Sequence, residues 1–291
     1  MPSVYLNGEF LPADQATIPV LDRGFLFGDG VYEVIPVYGG HLFRLDQHLR
    51  RLDQSCAGIR LPVPMDHAGW RAMLEELVAR NGGGDQGVYL QVTRGVAPVR
   101  DHGFPEPTRP TVFAMANPLR PPAPDLAETG VSAITLADTR WVYCHIKAIT
   151  LLPNVLLRQE ALDGGASEAI LLRDGEATEG AASNLFVVLD GVLVTPPKSP
   201  KLLPGITRDL VLELAAEHGI AQREAIVPAA ALRAAEEIWL TSSTKEVMPV
   251  TRLDGVAVGD GHPGPRWRQL TALYADYKAA VRAGRMDPVS A

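Results

Sequence analysis

Val34-Ile35-Pro36-Val37-Tyr38-Gly39-Gly40-His41-Leu42-Phe43 (residues 34–43) is the stretch from which the fold can be read. An apolar run meets two glycines and a second apolar run follows at once. Paired glycines supply the positive φ angles that a two-residue hairpin needs, so the flanking runs read as antiparallel strands. The same grammar recurs to either side. Asn7-Gly8 separates Val4-Tyr5-Leu6 from Glu9-Phe10-Leu11, and Asp174-Gly175, Asp190-Gly191 and Asp254-Gly255 each sit between apolar runs. Much of the sheet is therefore expected to be antiparallel.

Helical patterns alternate with these hairpins. Leu45 to Ile59 carries Leu49, Leu52, Cys56 and Ile59 at three-to-four spacing, and Trp70 to Arg80 repeats the pattern through Met73, Leu74, Leu77 and Val78. Thr207 to His218 puts Leu210, Val211, Leu214 and Ala215 on one face and stops at Gly219, and Trp267 to Arg282 is a fourth helix. Gly82-Gly83-Gly84 reads as a loop. The segment Ala116 to Pro124 holds four prolines, which deny backbone donors and favour extended chain, so it reads as a linker. The expected division is an N-terminal α/β domain over residues 1–117, a Pro-rich linker over 118–126 and a C-terminal α/β domain over 127–291. The tail from Gly284 is expected to fray.

Composition narrows the function classes. The net charge is −7, from 27 basic and 34 acidic residues, and no Lys/Arg stripe or zinc-finger spacing points to nucleic acid. No apolar run is long enough to cross a bilayer, and the N-terminus lacks a basic region followed by an apolar stretch. Two cysteines, Cys56 and Cys144, make no disulfide framework and read as free thiols in a reducing compartment. A cytoplasmic location is expected. His41, His48, His102 and His145 lack metal-ligand spacing, there is no P-loop, and Gly28-Asp29-Gly30 is too short for a dinucleotide fingerprint. No metal site is expected.

Five features could carry chemistry. Lys147 stands in an almost wholly apolar window, 141–152, where it must snorkel, pair, or lose its proton. A deprotonated amine is what imine formation requires, although a surface lysine at a strand end is the simpler reading of that window alone. Glu179 lies among small residues (177–184), where an acid can approach a flat ligand, or simply sit in a polar turn. Pro204-Gly205-Ile206-Thr207-Arg208 opens a helix whose free N–H groups suit a phosphate, with an ordinary cap by Thr207 the commoner alternative. Thr241-Ser242-Ser243-Thr244 places hydroxyls at a strand end, fit for an anion or for solvent. Arg100 and His102 alternate along the chain, so in an extended segment they point the same way and could clamp a carboxylate.

The order and wording of these pieces say more than any one of them. DRGFLFGDGVYEVI (22–35), HLRRL (48–52), VTRGV (92–96), HIKAITLLPNV (145–155), ATEGAASN (177–184), LPGITRD (203–209) and TSSTKEVMPV (241–250) closely resemble the class IV, or fold type IV, pyridoxal-phosphate aminotransferases. The resemblance runs from about Val4 to Tyr277. It implies a mixed α/β (α+β) fold of two domains, with pyridoxal 5′-phosphate held between them, usually as a homodimer. It further implies that Lys147 is the catalytic Schiff-base lysine, carried by the C-terminal domain, and that Glu179 contacts the pyridine nitrogen. Arg51 matches the phosphate-binding arginine, helped by the N–H groups of Ile206 and Thr207 and by Ser242 and Ser243. Leu203 matches the leucine that packs on the ring, and Tyr32 the tyrosine near the substrate.

Four activities occur in the family. Its D-amino-acid aminotransferases trap the substrate carboxylate with an arginine and a histidine one residue apart, followed by Phe-Pro, on a loop that reaches over from the partner subunit. Arg100-Asp101-His102-Gly103-Phe104-Pro105 resembles that arrangement. The resemblance thus implies ping-pong amino transfer from a D-amino acid such as D-alanine to a 2-oxo acid such as 2-oxoglutarate. A branched-chain L-amino-acid aminotransferase comes next, then aminodeoxychorismate lyase and R-selective amine transaminase.

Overall fold

The computed structural model describes residues 1–120, 123 and 125–285. By its contacts the chain divides into two units: Met1–Arg120 with Ile146–Leu151 and the chain from Ala279, and Pro121–His145 with Leu152–Lys278.

In the first unit, β1 (Ser3–Leu6), β2 (Glu9–Pro12), β3 (Gly30–Tyr38), β4 (His41–Leu42), β5 (Gln86–Thr93) and β6 (Thr111–Pro118) form a sheet ordered β2-β1-β6-β5-β3-β4. Every pairing in it is antiparallel. Alternation decides the buried face: Val31, Glu33, Ile35 and Val37 of β3 and Gln86, Val88, Leu90 and Val92 of β5 point inward. The short helix α1 (Arg23–Phe27) precedes β3, while α2 (Leu45–Gly58) and α3 (His67–Arg80) supply the apolar layer. Leu45, Leu49, Leu52 and Cys56 of α2 are buried at spacings of four, three and four, each fully buried apolar side chain contributing about 1.5–3 kcal/mol.

In the second unit the sheet is mixed. Strands β7 (Val131–Ala137), β8 (Glu168–Arg173), β9 (Glu176–Gly180), β10 (Asn184–Leu189), β11 (Val192–Thr195), β12 (Gln222–Glu224), β13 (Val227–Pro228), β14 (Glu237–Ser242) and β15 (Glu246–Leu253) run in the order β12-β11-β10-β14-β15-β7-β8-β9-β13, and β16 (Val256–Ala257) pairs with β15. The β7–β8, β7–β15 and β11–β12 pairs are parallel. Helices α4 (Leu126–Thr129), α5 (Leu152–Asp163), α6 (Ile206–Glu217), α7 (Ala229–Arg233) and α8 (Pro265–Arg282) complete the chain's order. Leu210, Val211 and Leu214 bury one face of α6, which packs against β14.

The five hairpin dipeptides all lie at turns between paired strands. Asn7, Asp174, Asp190 and Asp254 take φ of 50–54°, and the glycine after each is also positive, the backbone that a tight hairpin with native twist demands. Other expectations meet a different structure. The window around Lys147 is not a strand: Val31 and Ala148 form an isolated bridge, the Tyr32 N–H donates to the Lys147 carbonyl, and Ile149 N–H donates to that of Gly30. Those bonds, and burial of Ile146 and Ala148 in the first unit's core, put Lys147 by contact with the N-terminal unit. Part of the expected linker is structured, since β6 extends to Pro118 and α4 starts at Leu126. Its prolines 121, 122 and 124, and residues 286–291 of the tail, lie outside the described residues. Among the described residues no helix is long and apolar enough to cross a membrane, and no group of acidic, His and Cys side chains could hold a metal ion.

Candidate active site

Two clusters of buried charge stand out, one in each unit. The first surrounds Glu33, which the β3 alternation turns inward and which is fully buried. Arg51, one α2 turn from His48, donates to it through Nε and Nη2 at 2.8 and 2.7 Å, and His48 Nδ1 lies 2.7 Å from Oε2. Burial pushes the Glu33 carboxyl up, but the charge and hydrogen bonds of Arg51, aided by His48, outweigh it and hold the group well below the usual carboxylate range. Burial lowers the His48 pKa against the pull of Glu33, and the charges of Arg51 and Lys147 act in the same direction as burial. Arg51, expected as a phosphate ligand, is thus oriented by a carboxylate that sequence reading did not single out.

Lys147 sits in the same unit. Its backbone N–H donates to Ser55 Oγ of α2 at 3.1 Å, its carbonyl accepts from Tyr32 N–H at 3.0 Å, and its Nζ lies 4.1 Å from the centroid of the Tyr32 ring. The backbone is therefore pinned on both sides, while the half-buried amine rests on an aromatic face. Gly28 lets the segment after Lys147 pass close to the end of α1. It takes φ +67° at the end of α1, and a Cβ there would meet Thr150 Cγ2 at 2.5 Å.

The second cluster surrounds Glu179 on β9, which is 4% exposed. Arg140 Nη1 donates to Oε1 at 2.5 Å, while Asn184 Nδ2 and the Leu203 N–H each donate to Oε2 at 3.0 Å. Arg140 is itself held by Asp138, through Nε at 2.9 Å and Nη2 at 3.0 Å. Burial dominates here: despite Arg140 and the Leu203 N–H, the Glu179 carboxyl is pushed up to about 6. Asn184 also donates to the Leu203 carbonyl at 2.8 Å, so one amide fixes both Leu203 and Glu179. The start of α6 follows directly. Gly205 is its N-cap, no side chain caps the helix, and Thr207 is buried. The expected Thr207 cap is thus absent, and the N–H groups of Ile206 and Thr207 head the helix. On β14, which α6 packs against, Thr241 Oγ1 is buried with no hydrogen-bond partner, next to Ser242 and Ser243.

The residues present fit pyridoxal 5′-phosphate on these observations. An uncapped helix start beside hydroxyls, one of them buried and unpartnered, suits a phosphate. A buried acid whose neighbours under-neutralise it suits a protonated ring nitrogen.

Arg100 and His102 fall elsewhere in the first unit. Their segment is bent rather than extended, because Arg23 gathers its carbonyls: Nη1 donates to those of Asp101 and Gly103 and Nη2 to that of His102. The two side chains nonetheless meet one ring, that of Phe27, with the Arg100 guanidinium 4.9 Å and the His102 ring 5.3 Å from its centroid.

Sequence reasoning missed Glu33, Arg140, Asp138 and Arg23. A signal existed for Glu33, a charge on the inward face of an otherwise apolar strand, which must find a partner. Arg140 pairs with Glu179 across 39 residues, and no local pattern announces such a bond.

Relatives agree with this chemistry. The family model of the amino-transferase class IV matches residues 30–253. D-alanine aminotransferase of Bacillus licheniformis is 44% identical over 271 residues, 93% of this chain and 95% of that protein. The branched-chain amino acid aminotransferase of T.th., solved with pyridoxamine 5′-phosphate, has a TM-score of 0.91 at 27% identity, covering 98% of this chain and 96% of that one. The Escherichia coli branched-chain enzyme has a TM-score of 0.88 at 29% identity, over 94% of both chains. Because the family match spans residues 30–253, more than half of the chain, and so takes in Lys147, Glu179 and the head of α6, the chain belongs to the class IV aminotransferases.

Proposed function

We propose that this protein is a pyridoxal-phosphate transaminase that moves an amino group from a D-amino acid, such as D-alanine, to a 2-oxo acid, such as 2-oxoglutarate, with ping-pong kinetics. The observation that carries the donor class is the meeting of Arg100 and His102 on the Phe27 ring. A guanidinium and an imidazole gathered this way can both donate hydrogen bonds to a carboxylate, and the 44% identical relative named above is a D-alanine aminotransferase.

When bound, the cofactor supplies an aldehyde that takes up the amino group and a ring that accepts electrons. The chain's own residues do the rest. Lys147 Nζ would hold the cofactor covalently, and as a free amine it would move the proton at the substrate Cα. Glu179 would offer a carboxylate to the ring nitrogen, and Leu203 would pack on the ring. Arg51, the N–H groups of Ile206 and Thr207, and the hydroxyls of Ser242 and Ser243 are the groups that would hold the phosphate, whose binding energy is remote from the reacting bonds. Tyr32 flanks the Lys147 amine and the substrate. The two contact units are read as the enzyme's two domains.

A homodimer belongs to the same reading. Helix α5 exposes Leu152, Val155 and Leu156, each at least 58% accessible, an apolar strip of the kind that a partner covers. Light scattering should return twice the 31.3 kDa chain mass.

The test is a donor panel. D-alanine with 2-oxoglutarate should turn over, and the purified protein should be yellow with a visible band bleached by borohydride. The branched-chain L-amino-acid reading has its own support in the two solved neighbours. Turnover of L-leucine with D-alanine inert would replace the D-specific proposal by that one, and a protein left colourless by added cofactor would end both.

A further inference from the structure

The Arg100–His102 segment is not a free loop. It is fastened at two points, and both lead back to one carboxylate. At the first, Arg23, 3% exposed, donates to the successive carbonyls of residues 101, 102 and 103. At the second, the Arg94 guanidinium lies 3.7 Å from the centroid of the Phe104 ring. Arg94 also donates to the carbonyls of Ile59 and Arg60 at the end of α2, at 2.7 and 3.1 Å. Asp29 joins the two, accepting from Arg23 Nε at 2.8 Å and from Arg94 Nε and Nη2 at 2.8 and 3.0 Å. A cavity of about 550 Å³ is lined by Arg23, Phe27, Asp29, Arg94, His102 and Phe104.

Between these points stands Phe27. Its ring contacts Arg23 and Arg100, each guanidinium 4.9 Å from the centroid, and the His102 ring at 5.3 Å. It belongs to α1, which cannot drift. The buried Asp22 caps α1 by accepting from Gly24 N–H at 2.8 Å, and also accepts from Thr93 Oγ1 and Thr111 Oγ1 of the sheet at 3.1 and 2.7 Å. A Cβ on Gly24 would collide with Thr93 Cγ2, so α1 lies directly on β5.

We propose that Arg23 and Phe27, the first and last residues of α1, are positioning residues for the substrate carboxylate: Arg23 bends the 101–103 backbone, and the Phe27 ring sets where the Arg100 and His102 side chains stand. This rests on the reading of Arg100 and His102 as the carboxylate clamp. Neither residue touches the reacting bonds. They act by sparing the clamp the entropy of ordering two long side chains when substrate binds.

The test uses the holoenzyme with Phe27→Leu, Phe27→Tyr, Phe104→Ala and Arg100→Ala, and Phe27→Leu combined with Arg100→Ala. The readouts are KM and kcat for D-alanine, the Kd of the unreactive dicarboxylate glutarate by calorimetry, and the melting temperature. Phe27→Leu should raise KM and the glutarate Kd about three- to tenfold, the size of one or two cation–π contacts, with kcat within about twofold. Phe27→Tyr, which keeps the ring, should restore both. In the Arg100→Ala background, Phe27→Leu should raise KM by a smaller factor than in the wild type, because only His102 is left for the ring to position. Equal effects in both backgrounds, a fall in kcat at constant KM, or no effect beside a damaging Arg100→Ala would overturn the proposal. Phe104, 45% exposed, covers the case in which Phe27→Leu fails to fold: its alanine variant should raise KM about two- to fivefold, and an unchanged KM would overturn the proposal equally. The clamp reading fails visibly and separately, as an Arg100→Ala enzyme with unaltered KM and glutarate Kd.

Discussion

Replacing Glu33 by glutamine probes the buried charge cluster directly. The substitution keeps the shape and one acceptor but removes the charge that the Arg51 guanidinium and His48 face at 2.7–2.8 Å. Breaking a buried ion pair by removing one partner costs about 3–5 kcal/mol, because the other charge stays buried. Glutamine still accepts one hydrogen bond, so the expected loss is near the lower figure, about 3 kcal/mol. For a cooperative unit of 150–250 residues that is roughly 6–12 °C in melting temperature. The pH dependence carries a second, independent signature. The folded-state pKa of Glu33 is depressed, so its contribution is complete above the unfolded carboxylate value and is lost as pH falls below it. The gap between wild type and Glu33→Gln should therefore be widest near neutrality and close progressively below about pH 4.5. Urea titrations of the cofactor-free protein at pH 7 and pH 4 measure it. Cofactor affinity should fall as well, since Arg51 loses the carboxylate that orients it. A loss under 1 kcal/mol, or a gap that does not change with pH, would mean that Glu33 is not an ionised partner of Arg51, and the reasoning would be refuted.

Lys147→Ala should abolish transamination while leaving the melting temperature within about 2 °C, since the lysine's backbone bonds survive the change; substantial residual turnover would contradict its role. Arg100→Ala should lower kcat/KM for D-alanine roughly ten- to a hundredfold, the worth of a charge-assisted contact of about 1.5–3 kcal/mol, with the visible band unchanged. Gly205→Ala should destabilise the protein by about 1–3 kcal/mol and weaken cofactor binding, because its Cβ would collide with Asn184 Oδ1, displacing the amide that holds Glu179 and Leu203; a melting curve and a cofactor titration equal to wild type would contradict this.

What could be read from the chain was what local chemistry dictates. Hairpins turned on Asn-Gly and Asp-Gly because only certain residues accept positive φ in succession, and helices α2, α3, α6 and α8 declared themselves through three-to-four spacing. Helix α5 did not. It opens with Leu152 and Pro153, a proline tolerated in the first turn, and its exposed positions include Leu152, Val155, Leu156 and Leu162, so no single apolar stripe was visible. The window around Lys147 misled in the opposite sense. Its apolar residues suit a strand, but Ile146 and Ala148 are buried by packing on the first unit's core, and a single bridge replaces a ladder. The motifs singled out Lys147, Glu179 and the head of α6, whereas the arginine that pairs with Glu179 lies 39 residues away along the chain.

Glu33 and Glu179 make the tuning argument without reference to any relative. The two are the same residue type and both are almost wholly buried, so desolvation raises both. Glu33 has an arginine bonded through two nitrogens and a histidine, and it ends well below the carboxylate range. Glu179 has one bond from an arginine whose other nitrogens are bonded to Asp138, plus two neutral donors, and it ends at about 6. Glu33 is therefore a closed pair, with its charge compensated by the protein alone. Glu179 is under-compensated: its ionised form is stabilised further by any positive group brought against it, and a protonated pyridine nitrogen is such a group. The difference has a sign that experiment can read. Because the folded pKa of Glu179 is raised, its stabilising share is present below about pH 4.5 and lost as pH rises through about 6. Stability of cofactor-free Glu179→Gln relative to wild type should shift in the variant's favour by about 2 kcal/mol between those limits, opposite in direction to Glu33→Gln. Bound cofactor should abolish the shift, because the ring nitrogen then supplies the charge that Arg140 and the two neutral donors leave short.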